Sequence, residues 1–521
     1  MENKEQSDRD NKNAFKLTKQ TLLVLVCVLS VVLVALVVLS TQLSNDYQPD
    51  PTNNILGSAA TDATTLPTEN TTNSEPTETT EATQPTQPSE TTPPPTGPSL
   101  PITPSGGNYI DVGYGNIAEI IQLNAETFLG EAKDDYSRPT NNYLPQGTMD
   151  YYKIIPVNND LSFVLLRSGQ RVYVKRKIYP PIEWKEVTKQ YEGELPDHNE
   201  INVADFSVVD NHTVLTLDCL WKAPFYFDLE PQSYVNPDGG SDRNYAVSRV
   251  TATYVDITFC YTTLFTGEVS IGNDHPLFKS AEVIQNESDY TLRLHLRKTG
   301  GFYGWNSYYN DNGQLCFEFL NPAKVTAANN AYGADLTGVK IFIDVGHGGI
   351  DGGAEVTDAS GKKWEEEDLN LTLSFALRDE LLKTGATVIL NRTDDKNMNT
   401  DERVAGMLEA APDVCISIHQ NVYTSASSVN GYWNLYFTPF SQPLSQKIMA
   451  RMDASGIYAK TLTQWQPFYM VRQSLCPIVC AENGFMTNAS DLNGMINDAI
   501  VARKAQTLAQ GIVDYFLSIN S

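Results

Sequence analysis

From about 335 to 521 short β-branched or apolar runs alternate with amphipathic stretches, and no other feature restricts the fold of this chain so strongly. The periodicities predict strands at 339–345, 386–391, 413–418, 432–437, 468–472 and 477–481, with helices at about 366–384, 400–410, 442–455 and 495–518. Strands that take turns with helices are joined by crossovers, which yields an α/β domain with a largely parallel open sheet. Ligands of such sheets gather at the carboxyl ends of the strands. Three chemically capable side chains stand at those ends. His347 follows Ile341-Phe342-Ile343-Asp344-Val345 in a glycine-rich turn, His419 follows Val414-Cys415-Ile416-Ser417-Ile418, and Glu482 follows Pro477-Ile478-Val479-Cys480-Ala481.

A fourth candidate, Glu366, sits where the acidic run Glu365-Glu366-Glu367-Asp368 meets the helical pattern. Carboxylates in a first helical turn complement the helix dipole, which explains the run as a charge pattern but not the company Glu366 keeps. Two neutral imidazoles and one carboxylate are the ligand set of a catalytic zinc, whose fourth position is left to water. His347, Glu366 and His419 are therefore the expected metal ligands, and Glu482 the acid/base that takes a proton from the water and returns it to a leaving nitrogen. His198, His212, His275 and His295 lie in a different region without such partners and are read as structural.

The segments Ile343-Asp344-Val345-Gly346-His347-Gly348-Gly349, Glu366-Glu367-Asp368-Leu369-Asn370-Leu371, Ser417-Ile418-His419-Gln420-Asn421 and Glu482-Asn483-Gly484-Phe485-Met486-Thr487-Asn488 resemble, in that order, the signature segments of the Amidase_3 family of zinc-dependent N-acetylmuramoyl-L-alanine amidases. Asn391-Arg392-Thr393-Asp394, Arg403 and Gly431 add to the likeness, while Gln420, Gly352 and Ala410-Ala411 depart from it without removing a ligand or the base. The resemblance implies zinc on His347, Glu366 and His419, with Glu482 as catalytic acid/base. It also implies the substrate, peptidoglycan, cut at the amide between N-acetylmuramic acid and L-alanine of the stem peptide. Asn421 and Arg472 are candidates for contacting substrate or orienting a ligand. Two rival readings are a non-catalytic wall-binding scaffold or amidase regulator, and a zinc peptidase acting within the stem.

At 521 residues the chain exceeds one core. Residues 1–20 carry Lys4, Arg9, Lys12, Lys16 and Lys19, residues 22–39 are almost all Leu and Val, and no Lys or Arg follows until Lys133. That pattern predicts a cytoplasmic tail, an uncleaved transmembrane signal anchor over 21–43, and everything beyond it outside the cell membrane, facing the wall. Residues 44–107, rich in Thr, Pro, Glu and Ser, have too few large apolar groups to fold and predict a disordered tether of roughly 45 Å mean span.

Residues 108–330 show short alternating runs broken by turn residues, which predicts an all-β region of one or two modules. The segment around Leu144-Pro145-Gln146-Gly147-Thr148 to Tyr173 is similar to SH3-like wall modules, and 281–321 to the AMIN β-sandwich. Arg293, His295, Arg297 and Lys298 make a basic face suited to an anionic wall polymer, or an ordinary solvated sheet face. A formal charge of -26 excludes nucleic acid as a partner. Six of the seven cysteines lie beyond the apolar segment, in runs where a free thiol behaves as a small hydrophobe; Cys476 and Cys480 are the pair best placed for a disulfide.

Overall fold

The computed structural model describes residues 120–520 apart from 124–125, 134–135, 159–160, 177–187, 192 and 237–245. The expected tail, anchor and tether lie outside the described residues. Among the described residues no helix is long and apolar enough to cross a membrane.

The middle region is all-β. Seven strands between Ile120–Leu123 and Thr188–Tyr191 form one antiparallel sheet. A sandwich follows, with Phe225–Glu230, Tyr254–Phe259, Tyr290–Leu296 and Phe278–Gln285 in one sheet. Thr262–Thr266, Asn199–Val209, His212–Cys219, Leu315–Leu320 and Trp305–Tyr309 form the other. The segment 281–321 is thus the last third of a larger unit that begins at Asn199. Aromatic rings join the sheets: Phe225 meets Phe317 at 4.9 Å, and Phe227 stacks on Trp305 at 3.8 Å. On the outer face Arg293 forms a two-pronged pair with Asp256, and His295 meets Glu282. Arg297 donates to the carbonyls of His275 and Phe278, so Arg293, His295 and Arg297 of the expected basic face are engaged within the sandwich.

The last region is the α/β domain. Its strands are β1 (Lys340–Val345), β2 (Thr387–Leu390), β3 (Val414–Asn421), β4 (Tyr432–Tyr436), β5 (Thr461–Trp465) and β6 (Ile478–Phe485), in the order β2-β1-β3-β6-β4-β5. All neighbours are parallel except β4 and β6. The helices are α1 (Glu366–Leu382), α2 (Thr400–Ala410), α3 (Gln442–Ser455), α4 (Ala489–Ile496) and α5 (Asp498–Ile519).

Two expectations are corrected. The edge strand is 461–465 rather than 468–472: Thr461-Leu462-Thr463-Gln464-Trp465 pairs along β4, whereas after Pro467 the chain turns back so that Arg472 N donates to Phe468 O at 3.0 Å. The apolar residues of 468–472 are buried by packing, not by pairing, and periodicity does not separate the two. The last helix starts at Asp498 rather than 495 and a separate short helix, α4, precedes it, because Asn497 leaves helical geometry and its side chain accepts from Ala499 N and Ile500 N to cap a new start. A short hairpin of Glu355–Thr357 with Lys363–Glu365 was not foreseen.

The two faces of this sheet are covered differently. Ile341, Ile343, Val345, Ile416, Ile418 and Ala481 pack beneath α1, α3 and α5 in one cluster. Gly511 of α5 lies so close to α3 that a Cβ there would meet Ile448 Cα at 2.6 Å. Phe342, Cys415, Ile478 and Cys480 point the other way, where α2 covers only part of the face. The rest of that cluster comes from the β-region: Phe302 meets Phe440 at 5.6 Å, and one apolar cluster includes Leu129, Tyr143, Trp305, Phe437, Val471 and Cys476. A strand buried on both faces needs a cover on each. Here the sandwich supplies the second cover. The six described cysteines are free thiols, five of them buried, and Cys476 and Cys480 form no disulfide.

Candidate active site

The strand ends bring the expected residues together. Parallel register sets His419 of β3 opposite Glu482 of β6, and Val345 of β1 opposite Ile418, so β1 delivers His347 two residues further on to the same edge. His347 itself adopts φ +58, a left-handed conformation uncommon for a residue with a Cβ. Two buried arginines hold this turn. Arg392 donates to the carbonyls of Val345, Gly346 and Glu367 at 3.3, 2.9 and 2.8 Å, and Arg403 to those of Val345 and His347 at 2.6 and 2.5 Å. Because Glu367 opens α1, the Arg392 fork ties the histidine turn to the helix that carries Glu366.

Glu366 is 5% exposed and is reached from both sides. His419 Nδ1 lies 3.0 Å from its Oε1 and His347 Nε2 3.2 Å from its Oε2, while Gln420 N and Ala354 N donate at 3.1 and 3.0 Å. The two imidazoles stand nearly perpendicular, centroids 4.9 Å apart. Neighbouring acids face elsewhere: Glu365 pairs with Lys363 in the hairpin, and Glu367 lies beside Asp395. Burial by itself would raise the Glu366 carboxyl, but hydrogen bonds from His347 and His419 hold it well below the usual carboxylate range. Burial disfavours charge on His347, yet Glu366 and Asp351 together push it up to about 9.

Donor atoms of His347, Glu366 and His419 lie within 4.8 Å of one another, the spacing of a site that can hold one metal ion. The glycines make the room. A Cβ on Gly346 would stand 2.4 Å from His419 Cε1, and one on Gly353 2.7 Å from both Glu366 Oε2 and His347 Cδ2. Asp351, four residues past His347, accepts at 2.9 Å from Nδ1 and leaves Nε2 to face the cluster. Sequence reasoning missed Asp351 and the structural reach of the arginines; the spacing from His347 to Asp351 was the available signal for the former.

Glu482 faces the same cavity, of about 360 Å³, which His347, His419, Arg403 and Cys480 also line. Its Oε2 is buried with no hydrogen-bond partner, and burial pushes its carboxyl up to about 7, with Glu366 adding to the rise and His419 and His347 opposing it. The cavity's far wall is 467–471. Asn421 does not line the cavity; its side chain accepts from Val422 N at 2.8 Å. Arg472 does not line it either, and packs behind the wall, its guanidinium 5.2 Å from the Tyr469 ring.

A largely parallel α/β sheet that gathers two imidazoles, a buried carboxylate and a second acid with one unpartnered oxygen in one cavity has the parts of a hydrolase site, with a cluster able to hold a cation. The family profile of N-acetylmuramoyl-L-alanine amidases, Amidase_3, matches residues 341–514. The chain is 32% identical over 183 residues to the uncharacterized protein YqiI of Bacillus subtilis, covering 35% of this chain and 86% of that one. It therefore belongs to the N-acetylmuramoyl-L-alanine amidase family. It is 31% identical over 199 residues to the N-acetylmuramoyl-L-alanine amidase LytC of Bacillus subtilis, 37% of this chain and only 39% of LytC. To the probable cell wall amidase LytH of Staphylococcus aureus it is 29% identical over 226 residues, 42% of this chain and 72% of LytH. Among solved structures it is similar to the catalytic domain of CwlV, an N-acetylmuramoyl-L-alanine amidase from Bacillus (Paenibacillus) polymyxa var. colistinus, at 27% identity and a TM-score of 0.32, covering 35% of this chain and 99% of that one.

Proposed function

We propose that this chain is a zinc-dependent peptidoglycan hydrolase, anchored in the cell membrane with its folded part outside. It cleaves the amide between N-acetylmuramic acid and the L-alanine of the stem peptide. The observation that carries this reading is Glu482 Oε2, bare and buried in the cavity that His347 and His419 share. A buried carboxylate oxygen with no partner is costly unless something uses it. The amidases LytC and LytH among the similar sequences support the bond assignment. The apolar run 22–39 and the basic residues before it support the anchor.

His347, Glu366 and His419 fit zinc, since their donor atoms converge within 4.8 Å and Gly346 and Gly353 leave the space that a Cβ would take from the rings. Zinc bound there would supply Lewis acidity, polarising the amide carbonyl and making water a better nucleophile at neutral pH. The chain's own residues do the rest. Glu482 accepts the proton of the attacking water at Oε2 and delivers it to the amide nitrogen as the bond breaks; an acid near pH 7 suits both halves of that task. Asp351 and the two arginines orient His347. The thiol of Cys480 also lines the cavity, but burial pushes it well above the thiol range, so it is no nucleophile at neutral pH.

The test uses the full chain in detergent with purified peptidoglycan. Mass spectrometry should find stem peptides with a new L-alanine amino terminus and glycan bearing free lactyl groups. Release of disaccharides, or of shortened stems, refutes the bond; unchanged lysis by Glu482→Gln refutes the role of the acid.

A further inference from the structure

We propose that the β-region is a working part of the hydrolytic site: by holding Ser474 and Leu475 against Gly304 and Trp305 it sets the cavity wall 467–471 where substrate is bound. This rests on the reading of the cavity as the place of hydrolysis. The wall contributes Pro467, Phe468, Tyr469, Met470 and Val471, opposite His347, His419 and Glu482, yet it belongs to no strand or helix. A segment without ladder bonds takes its position from whatever ties it down.

Its ties lead to the sandwich. Trp305 N donates to Ser474 O at 2.7 Å, and Ser474 Oγ donates back to Trp305 O at 2.8 Å. Trp305 is 2% exposed and clamped between Phe227 at 3.8 Å and Tyr143 at 4.4 Å, so the anchor cannot follow the loop. Gly304 permits the approach: with φ +153, a Cβ there would stand 2.3 Å from Leu475 O. From Ser474 the constraint passes to the wall over a single turn. Arg472 N bonds Phe468 O at 3.0 Å, Gln473 Nε2 donates to Tyr469 O at 2.9 Å, and the Arg472 guanidinium lies over the Tyr469 ring. Glu126, just before the strand Thr127–Lys133, is close enough to act electrostatically on Arg472 and Tyr469. At the other end the Tyr469 hydroxyl donates to Asp401 at 3.2 Å, which closes the wall against α2.

Gly304 and Ser474 are thus positioning residues, remote from the metal cluster and the acid. Gly304→Ala in the full chain wedges the two segments apart. Its KM for soluble peptidoglycan fragments should rise about tenfold, because a displaced wall no longer meets the substrate where the parent's does. Within the same variant kcat and zinc content should stay close to the parent, the unfolding midpoint should fall, and amide hydrogen exchange over 467–475 should quicken. Ser474→Ala should move KM and exchange the same way by a smaller factor, with Ser474→Thr restoring both, and it decides the matter should Gly304→Ala not fold. Parental KM and exchange in a folded variant overturn the proposal, as does a loss in kcat and zinc with KM unchanged. If the parent cleaves no wall amide, the functional reading falls, and the exchange measurement still decides whether the sandwich sets the wall.

Discussion

Gly346→Ala isolates the geometry of the metal cluster from the stability of the fold. The glycine is buried and its backbone lies outside the left-handed region, so alanine is conformationally acceptable there. Such a change by itself stabilises by roughly 0.4–1 kcal/mol through the unfolded chain. The new Cβ, however, would meet His419 Cε1 at 2.4 Å and Nε2 at 2.6 Å, against ordinary contacts of 3.4–4 Å. The ring must retreat by about 1 Å, several times the ~0.2 Å tolerance of a metal–ligand distance. We expect kcat/KM for peptidoglycan to fall about a hundredfold, or ~2.7 kcal/mol at ~1.36 per decade, and zinc to be lost to a competing chelator at correspondingly lower concentration. The unfolding midpoint of the metal-free protein should not drop. Gly406→Ala is the control, because its Cβ meets only Phe342 Cζ at an ordinary 3.8 Å. That helical substitution should leave zinc and activity intact. Parental zinc affinity and kcat/KM in Gly346→Ala would show that the chain does not depend on His419 standing where the structure puts it.

Glu482→Gln keeps the shape of the acid and removes its basicity, so kcat should fall by roughly 10²–10⁴ with zinc content unchanged; loss of zinc instead would make Glu482 a ligand. Asp351→Ala frees His347 Nδ1 at an exposed position and should cost about 10–100-fold in zinc affinity without lowering thermal stability. An unchanged affinity in chelator competition contradicts the orienting role. Lys504 is 1% exposed, donates to Asn483 O at 3.0 Å, and burial pushes its ammonium down to about 7 against the pull of Asp491. In the unfolded chain it titrates near 10.4, so between pH 7 and about 10.4 the unfolded state binds the proton that the folded state has released, and stability rises with pH across that window by at most roughly 5 kcal/mol. Below pH 7 both states are protonated and the contribution is flat. Lys504→Met should abolish the rise in denaturant titrations; equal slopes in the two proteins refute the assignment.

Much of the site was legible because it is written into strand ends. His347, His419 and Glu482 each follow a run whose buried character is local, and adjacent parallel strands bring such ends together by register. Glu366 was legible as the start of a helix, but only packing separates it from Glu365 and Glu367. Hydrogen bonds from Gln420 and Ala354 select it. Asn421 and Arg472 were read by proximity in sequence, and neither lines the cavity.

Alternating hydrophobicity determined the α/β architecture, the all-β character of the middle region and the edge at which chemistry gathers, because each of these follows from which side chains avoid water. Apolar burial has no direction, so the same pattern is silent on what does the covering. Only the tertiary structure decided that a β-sandwich roofs the second face of the sheet through Phe302 and Trp305, that 467–471 is a cavity wall instead of a strand, and that Arg392 and Arg403 hold the turn of His347. Each of these depends on groups far apart in the chain meeting at particular distances, and a local periodicity carries no record of such distances.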